Sequence, residues 1–232
     1  MKKLLLMTLA VCLLLSGCGK AQNKTEEPAA PETETTETVE NTERAEPAEP
    51  ALTVRPLPDT TMENLTDAIL AVSLEEGGAY VDDTGRMQMD LTIYTYDLYD
   101  MAEFSQLKEG DTIVIQGKDV VVTSLERTDT GLVLINGGME AGGYDFTHSD
   151  SGVYYETGFN DVKSWYEVGK ETIRVSTEMT GVDNGDPEMG EVELFPGSFL
   201  IGEVTDYNFT PYNTTVRVED GQIVYMERIY TP

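Results

Sequence analysis

The sequence predicts an all-β protein with short helices: one or more small barrel or meander domains following a disordered N-terminal tether. Three observations carry this. Residues 108–138 hold three short β-rich runs in succession, 112–116, 119–126 and 132–136, separated by Gly117-Lys118 and by Thr128-Asp129-Thr130-Gly131. Residues 87–96 alternate, with Met87, Met89, Leu91 and Ile93 on one face and a switch of register near Tyr94. Near the end, the alternating runs 214–219 and 222–227 flank Asp220-Gly221, the strongest hairpin signal in the chain.

Taken in order, residues 51–59 hold Pro56 and Pro58 and read as an extended lead-in. Thr60-Thr61-Met62-Glu63 has the form of a capping box and predicts a short helix through Leu65. Residues 68–74 alternate as a strand, with a helix as the competing reading. Glu75-Glu76-Gly77-Gly78 and Asp82-Asp83-Thr84-Gly85 read as turns. After the 87–96 strand, Met101, Phe104 and Leu107 fall at helical spacing. In the 108–138 stretch, Gly117-Lys118 suits a type II′ hairpin, and apolar residues on both faces suit strands near the middle of a covered sheet. Strand, strand, short helix and three strands are compatible with a five-stranded barrel of the oligonucleotide-binding or SH3-like kind, a shape that carries no function by itself.

The paired glycines at 137–138 and 142–143 lack the Lys and following helix of a phosphate loop and read as a surface loop. Residues 153–156 read as a strand, 160–165 as a capped helical turn burying Trp165, and 191–195 and 198–204 as strands. Residues 169–175 resemble 110–115 in pattern, so two similar modules are one reading. The expected division is residues 51–143 as a barrel-like module and 144–232 as a second module or the continuation of one domain.

The first fifty residues are of another kind. Met1-Lys2-Lys3 is a basic start, 4–15 is an apolar run too short to span a bilayer, and Leu15-Ser16-Gly17-Cys18 follows. This order and spacing resembles the signal peptide and lipobox of bacterial lipoproteins. The resemblance covers residues 1–18. It implies removal of a signal peptide of residues 1–17, lipidation of Cys18, export, and anchorage to the cell membrane by two acyl chains. Residues 19–50 are rich in Glu, Thr, Pro and Ala, with nine Glu against Lys20, Lys24 and Arg44. Such a segment lacks the apolar surface to offset ordering entropy. It is expected to act as an extended tether of roughly 30 Å or more.

Residues 51–232 carry ten Lys and Arg against thirty-four Asp and Glu, a net charge of −24. That field argues against nucleic acid and anionic lipid as partners of the folded part. No Cys follows Cys18, which excludes disulfides, thiolate nucleophiles and Cys metal sites there. His148, the single histidine, lies in an expected polar loop, so neither a His-based zinc site nor a Ser-His-Asp triad is signalled.

Candidate sites are few. Asp183, Asp186 and Glu188, around Asn184-Gly185, alternate oxygen ligands as a calcium site would, although the EF-hand frame is absent. Tyr94, Tyr96 and Tyr99 are candidates for a flat ligand-binding platform. No other cofactor is indicated. The reading is a membrane-anchored, non-enzymatic binding or envelope-structural protein whose partner outside the membrane is a protein or a glycan. The alternative is a carboxylate-dependent glycan hydrolase, which would need two convergent acids in a deep cleft, one with a raised pKa. A calcium-dependent binding module is the third reading.

Overall fold

A ring of five strands organises the chain. In the computed structural model, which describes residues 50–158, 162–186, 188, 190–201 and 208–231, the strands in that ring are β2 (Ala68–Val81), β3 (Met87–Thr95), β11 (Tyr166–Asn184), β13 (Thr214–Glu219) and β14 (Gln222–Ile229). The sheet runs β11-β14-β13-β2-β3, and a further pairing of β3 with β11 closes it. Only β11 and β14 run parallel; the other four pairings are antiparallel. Numbered within the barrel, the wiring is 1-2-3-5-4-1 with strands 3 and 5 parallel. This is a Greek-key barrel of the oligonucleotide-binding kind. The expected barrel shape is present, but different strands build it: the 112–136 runs lie outside the ring.

The barrel forms because its strands alternate. Met87, Met89, Leu91 and Ile93 all point inward and are buried, facing Leu70, Val72 and Leu74 of β2. Each such side chain contributes roughly 1.5–3 kcal/mol on burial. The β11–β14 contact needs Gly181, because a Cβ there would lie 2.1 Å from the Met226 carbonyl oxygen. Next to it, Asp183 and Arg228 face each other across the parallel pair.

Between β3 and β11 the chain leaves the barrel and builds an inserted lobe. The exit and return lie side by side, since Thr95 pairs with Tyr166. The lobe holds β4 (Leu98–Asp100), the helix α1 (Met101–Ser105), β5 (Thr112–Ile115), β6 (Lys118–Val121), β7 (Leu125–Arg127), β8 (Val133–Ile135), β9 (Tyr144–His148) and β10 (Val153–Thr157). They form a five-stranded sheet, β4-β10-β9-β8-β7, and a three-stranded one, β1-β5-β6. The strand β1 (Thr53–Val54) comes from the lead-in and pairs parallel with β5. Asp111 fastens this join by accepting the Leu52 N–H at 2.8 Å. Phe104, Tyr99 and Phe146 centre the lobe's own core. Residues from Glu49 onward form one compact unit, and a boundary at 143/144 would cut both the barrel and the β8–β9 ladder.

Several local expectations are corrected. The 119–126 run is two strands in two sheets, β6 and β7. The Asn136 side-chain oxygen accepts the Thr123 and Ser124 N–H groups and breaks the run between them. Strand β6 is largely exposed rather than covered on both faces. The β5–β6 loop is Gln116-Gly117, with φ of 48° and 74°, so the turn is type I′, not type II′. Residues 61–63 make a turn, not a helix. The 75–78 turn is a bulge inside the continuous β2, where the register shifts between Leu74 and Ala79. His148 ends a strand, β9, instead of lying in a loop. Residues 162–165 are not helical, and Trp165 is half-buried. Strand β12 (Val192–Leu194) matches the 191–195 expectation, but Pro196–Phe199 is a 3₁₀ turn where a strand from 198 was expected. The likeness of 110–115 to 169–175 is local only, since the first falls in the three-stranded sheet and the second in the barrel. The signal peptide, Cys18 and tether, together with residues 160–161 and 202–204, lie outside the described residues. No helix among the described residues is long and apolar enough to cross a membrane.

Candidate functional site

Where the chain crosses between barrel and lobe, aromatic side chains gather around one ammonium group. Tyr96 follows β3 directly, and Trp165 directly precedes β11. Their rings meet edge to face at 4.7 Å between centroids, and Tyr155 of β10 meets Tyr96 at 6.0 Å. The Lys163 ammonium donates to Tyr96 Oη at 2.7 Å and stands 4.2 Å from that ring's centroid. It also lies within 6 Å of the Tyr155 and Trp165 rings. An isolated bridge from Thr157 to Lys163 fixes the backbone.

These residues flank a half-open cleft of about 460 Å³, lined by Gln116, Lys163, Ser164, Trp165, Tyr212 and Thr231 among others. That volume suits a small ligand. Among the described residues no carboxylate lines it. The lining offers an indole and a phenol as apolar faces, with an amide, hydroxyls and one ammonium as polar groups.

Behind the cleft lie two carboxyl groups. Asp97 is buried and accepts from the Gln116 N–H at 2.6 Å, from Tyr166 Oη at 2.7 Å and, through a hydroxyl shared with the Val114 carbonyl, from Tyr99 Oη at 3.2 Å. This hub holds Gln116 in the left-handed conformation that aims it from the β5–β6 turn. Burial, reinforced by the Asp97 charge, pushes both tyrosine hydroxyls above their usual range, so both remain donors. Glu156 is half-buried, and burial raises its pKa against the opposing hydrogen bonds from Ser164 and Gln116. Glu156 does not line the cleft, and Asp97 has its oxygens engaged. Among the described residues, no pair of convergent acids of the kind that hydrolysis uses faces the cleft.

The other candidates fall elsewhere. Tyr99 is a core residue, fully buried, with its hydroxyl donated to the Val114 carbonyl at 2.8 Å, so it offers no platform. Tyr94 sits on the barrel wall against Ser73, at 3.2 Å between hydroxyls. Of the three tyrosines only Tyr96 joins the cluster. Asp183 is bound to Arg228 through two contacts, 2.8 Å to Nε and 2.7 Å to Nη2, and also accepts the Gly185 N–H at 2.9 Å. A cation there would have to displace a guanidinium that is 4% exposed. Asp186 accepts the Glu188 N–H, and among the described residues no three metal-binding side chains converge. Sequence reading missed Lys163 and Gln116. Trp165 and the tyrosines were visible as residue types, but only the lone Trp two positions from a Lys in an acidic chain hinted at their grouping.

Fold and site together define an all-β barrel protein with an inserted β lobe and an aromatic cleft at their junction. Comparison with protein-family models, known proteins and solved structures gives no match for this chain.

Proposed function

We propose that this is an exported bacterial protein, anchored to the cell membrane through lipid on Cys18, whose folded unit binds a neutral saccharide in the Trp165 cleft without transforming it. The observation that carries the reading is the cleft lining: ring faces beside an amide, hydroxyls and an ammonium, with no carboxylate among the described lining residues. Sugar rings present C–H faces that lie on aromatic planes and hydroxyls that bond to amides and hydroxyls. The strongly acidic field of the domain disfavours acidic polymers, and nucleic acid above all. A tethered binding unit would hold its ligand near the membrane at raised local concentration.

Two measurements test it. Cys18→Ser should abolish incorporation of labelled palmitate and release the protein from the membrane fraction; unchanged membrane association would refute the anchor. Trp165 is the only tryptophan, so its fluorescence reports on the cleft directly. A panel of neutral oligosaccharides should include one that shifts Trp165 emission saturably, with no released reducing ends. Lys163→Met and Tyr212→Ala should weaken that response. Release of reducing ends lost on Glu156→Gln would favour the hydrolase instead.

A further inference from the structure

A second hollow, sharing no lining residue with the cleft, lies on the barrel. It opens where the turn after β2, the middle of β11 and the 3₁₀ turn at Pro196–Phe199 come together. Its volume is about 210 Å³. Val81, Met87, Val175 and Leu200 supply aliphatic wall, and Arg86 and Arg174 supply two guanidinium groups.

The arginines are the anomaly. Three others are engaged: Arg228 with Asp183, Arg217 with Glu219, and Arg127 with the carbonyls of Ser105 and Leu107; the exposed Arg55 stands outside this hollow. Among the described residues neither Arg86 nor Arg174 makes a salt bridge, despite thirty-four acids in the domain. Arg174 Nε is buried and has no hydrogen-bond partner, and it is the only buried side-chain atom in that state among the described residues. The Nε itself is closed off, so what Arg174 offers the hollow is the remainder of its guanidinium, for which no hydrogen bond or ion pair is present among the described residues.

The chemistry of the occupant follows from the walls. A guanidinium fork matches the two oxygens of a carboxylate. The net charge of −24 opposes a multiply charged anion more than a singly charged one. The aliphatic wall favours an apolar substituent beside the charge. At about 30 Å³ per water the hollow has room for roughly seven waters, the size of one amino-acid residue.

We propose that this hollow is a binding site for a monocarboxylate bearing a branched aliphatic group, held between Arg86 and Arg174. A free short-chain acid and the C-terminal residue of a peptide both present this chemistry.

The test uses the full-length chain and four probes: 4-methylpentanoate, N-acetyl-leucine, the neutral N-acetyl-leucinamide and inorganic phosphate. Binding is followed by ligand-observed saturation-transfer NMR and by the Arg174 Nε–H resonance. Saturable binding of one or both acids is expected, with the amide about tenfold weaker or worse. A preference for N-acetyl-leucine assigns the peptide terminus, and equal binding assigns the free acid. Arg174→Gln should lose the binding with the fold intact by circular dichroism. Should that variant not fold, the exposed Arg86→Gln must still weaken binding several-fold. Equal binding of acid and amide overturns the site, as does absence of saturation with either acid or tighter binding of inorganic phosphate.

Discussion

Replacing Asp97 measures how much of the junction depends on one carboxylate. Its three donors are the Gln116 N–H, Tyr166 Oη and Tyr99 Oη, at 2.6, 2.7 and 3.2 Å. Hydrogen bonds to a charged acceptor contribute about 1.5–3 kcal/mol each when buried. Tyr166 is only half-buried, so water recovers part of its bond. Asp97→Ala also removes the cost of burying a carboxylate that has no cation beside it. The balance is a loss of about 3–4 kcal/mol. Asp97→Asn keeps one acceptor oxygen for Gln116 while the Tyr166 hydroxyl turns to accept, and should lose about 1–2 kcal/mol. With a urea m-value of about 2 kcal/mol/M, the midpoint should fall by about 1.5–2 M and 0.5–1 M respectively. Gln116→Gly relieves left-handed strain of about 1–2 kcal/mol and should restore part of the loss in the Asp97→Ala background. An alanine variant within about 0.5 kcal/mol of the parent, or an asparagine variant worse than alanine, would refute the assignment of Asp97 as the hub.

Glu156 has a pKa raised by burial, so its native form favours the proton. The stability linked to it is present at low pH and lost as pH rises through the folded-state value. Glu156→Gln should therefore leave Tm unchanged near pH 4 and raise it progressively toward pH 8; calorimetry showing a flat difference would contradict this. Asp183→Ala removes a two-point carboxylate contact from the buried Arg228 guanidinium and should cost about 3–5 kcal/mol in chemical denaturation. Calcium added to the parent should not move its melting curve, because the Asp183 oxygens are already engaged. Gly181→Ala would force a Cβ to 2.1 Å from Met226 oxygen and should prevent soluble folding, whereas Gly221→Ala, with open space but φ of 70°, should cost only about 1 kcal/mol.

What could be read in the sequence was what neighbouring residues decide. The period-two pattern placed the inward face of β3, and Asp220-Gly221 placed a hairpin whose two central residues both have positive φ. The helix at 101–105 followed from spacing, with Asp100 as its cap. What could not be read was partnership. Nothing near Thr95 signals that the next barrel strand begins at Tyr166, because that choice is made by ladders between distant segments. Gly77-Gly78 carries the same local signal for a turn and for a bulge, and only the pairing with β3 decides between them. The same holds for the site. Lys163 and Tyr96 are 67 positions apart, and each alone is an unremarkable surface residue type. Arg86 and Arg174 stand out only once the neighbours of each are known.

The short strand at Thr53–Val54 ties the two halves together in an unexpected order. The chain first lends a strand to the lobe, then winds two strands of the barrel, then returns to complete the lobe, and finally closes the barrel. Each half thus encloses a piece of the other's path, like two links threaded by one cord. The two cores are thereby tied by one run of chain, so amide protons in Leu70 and Ile113, one in each core, should exchange through a shared opening event. Clipping the chain just after Val54 would free the lobe to loosen first, and the Trp165 cleft at the seam would be the earliest place to feel it.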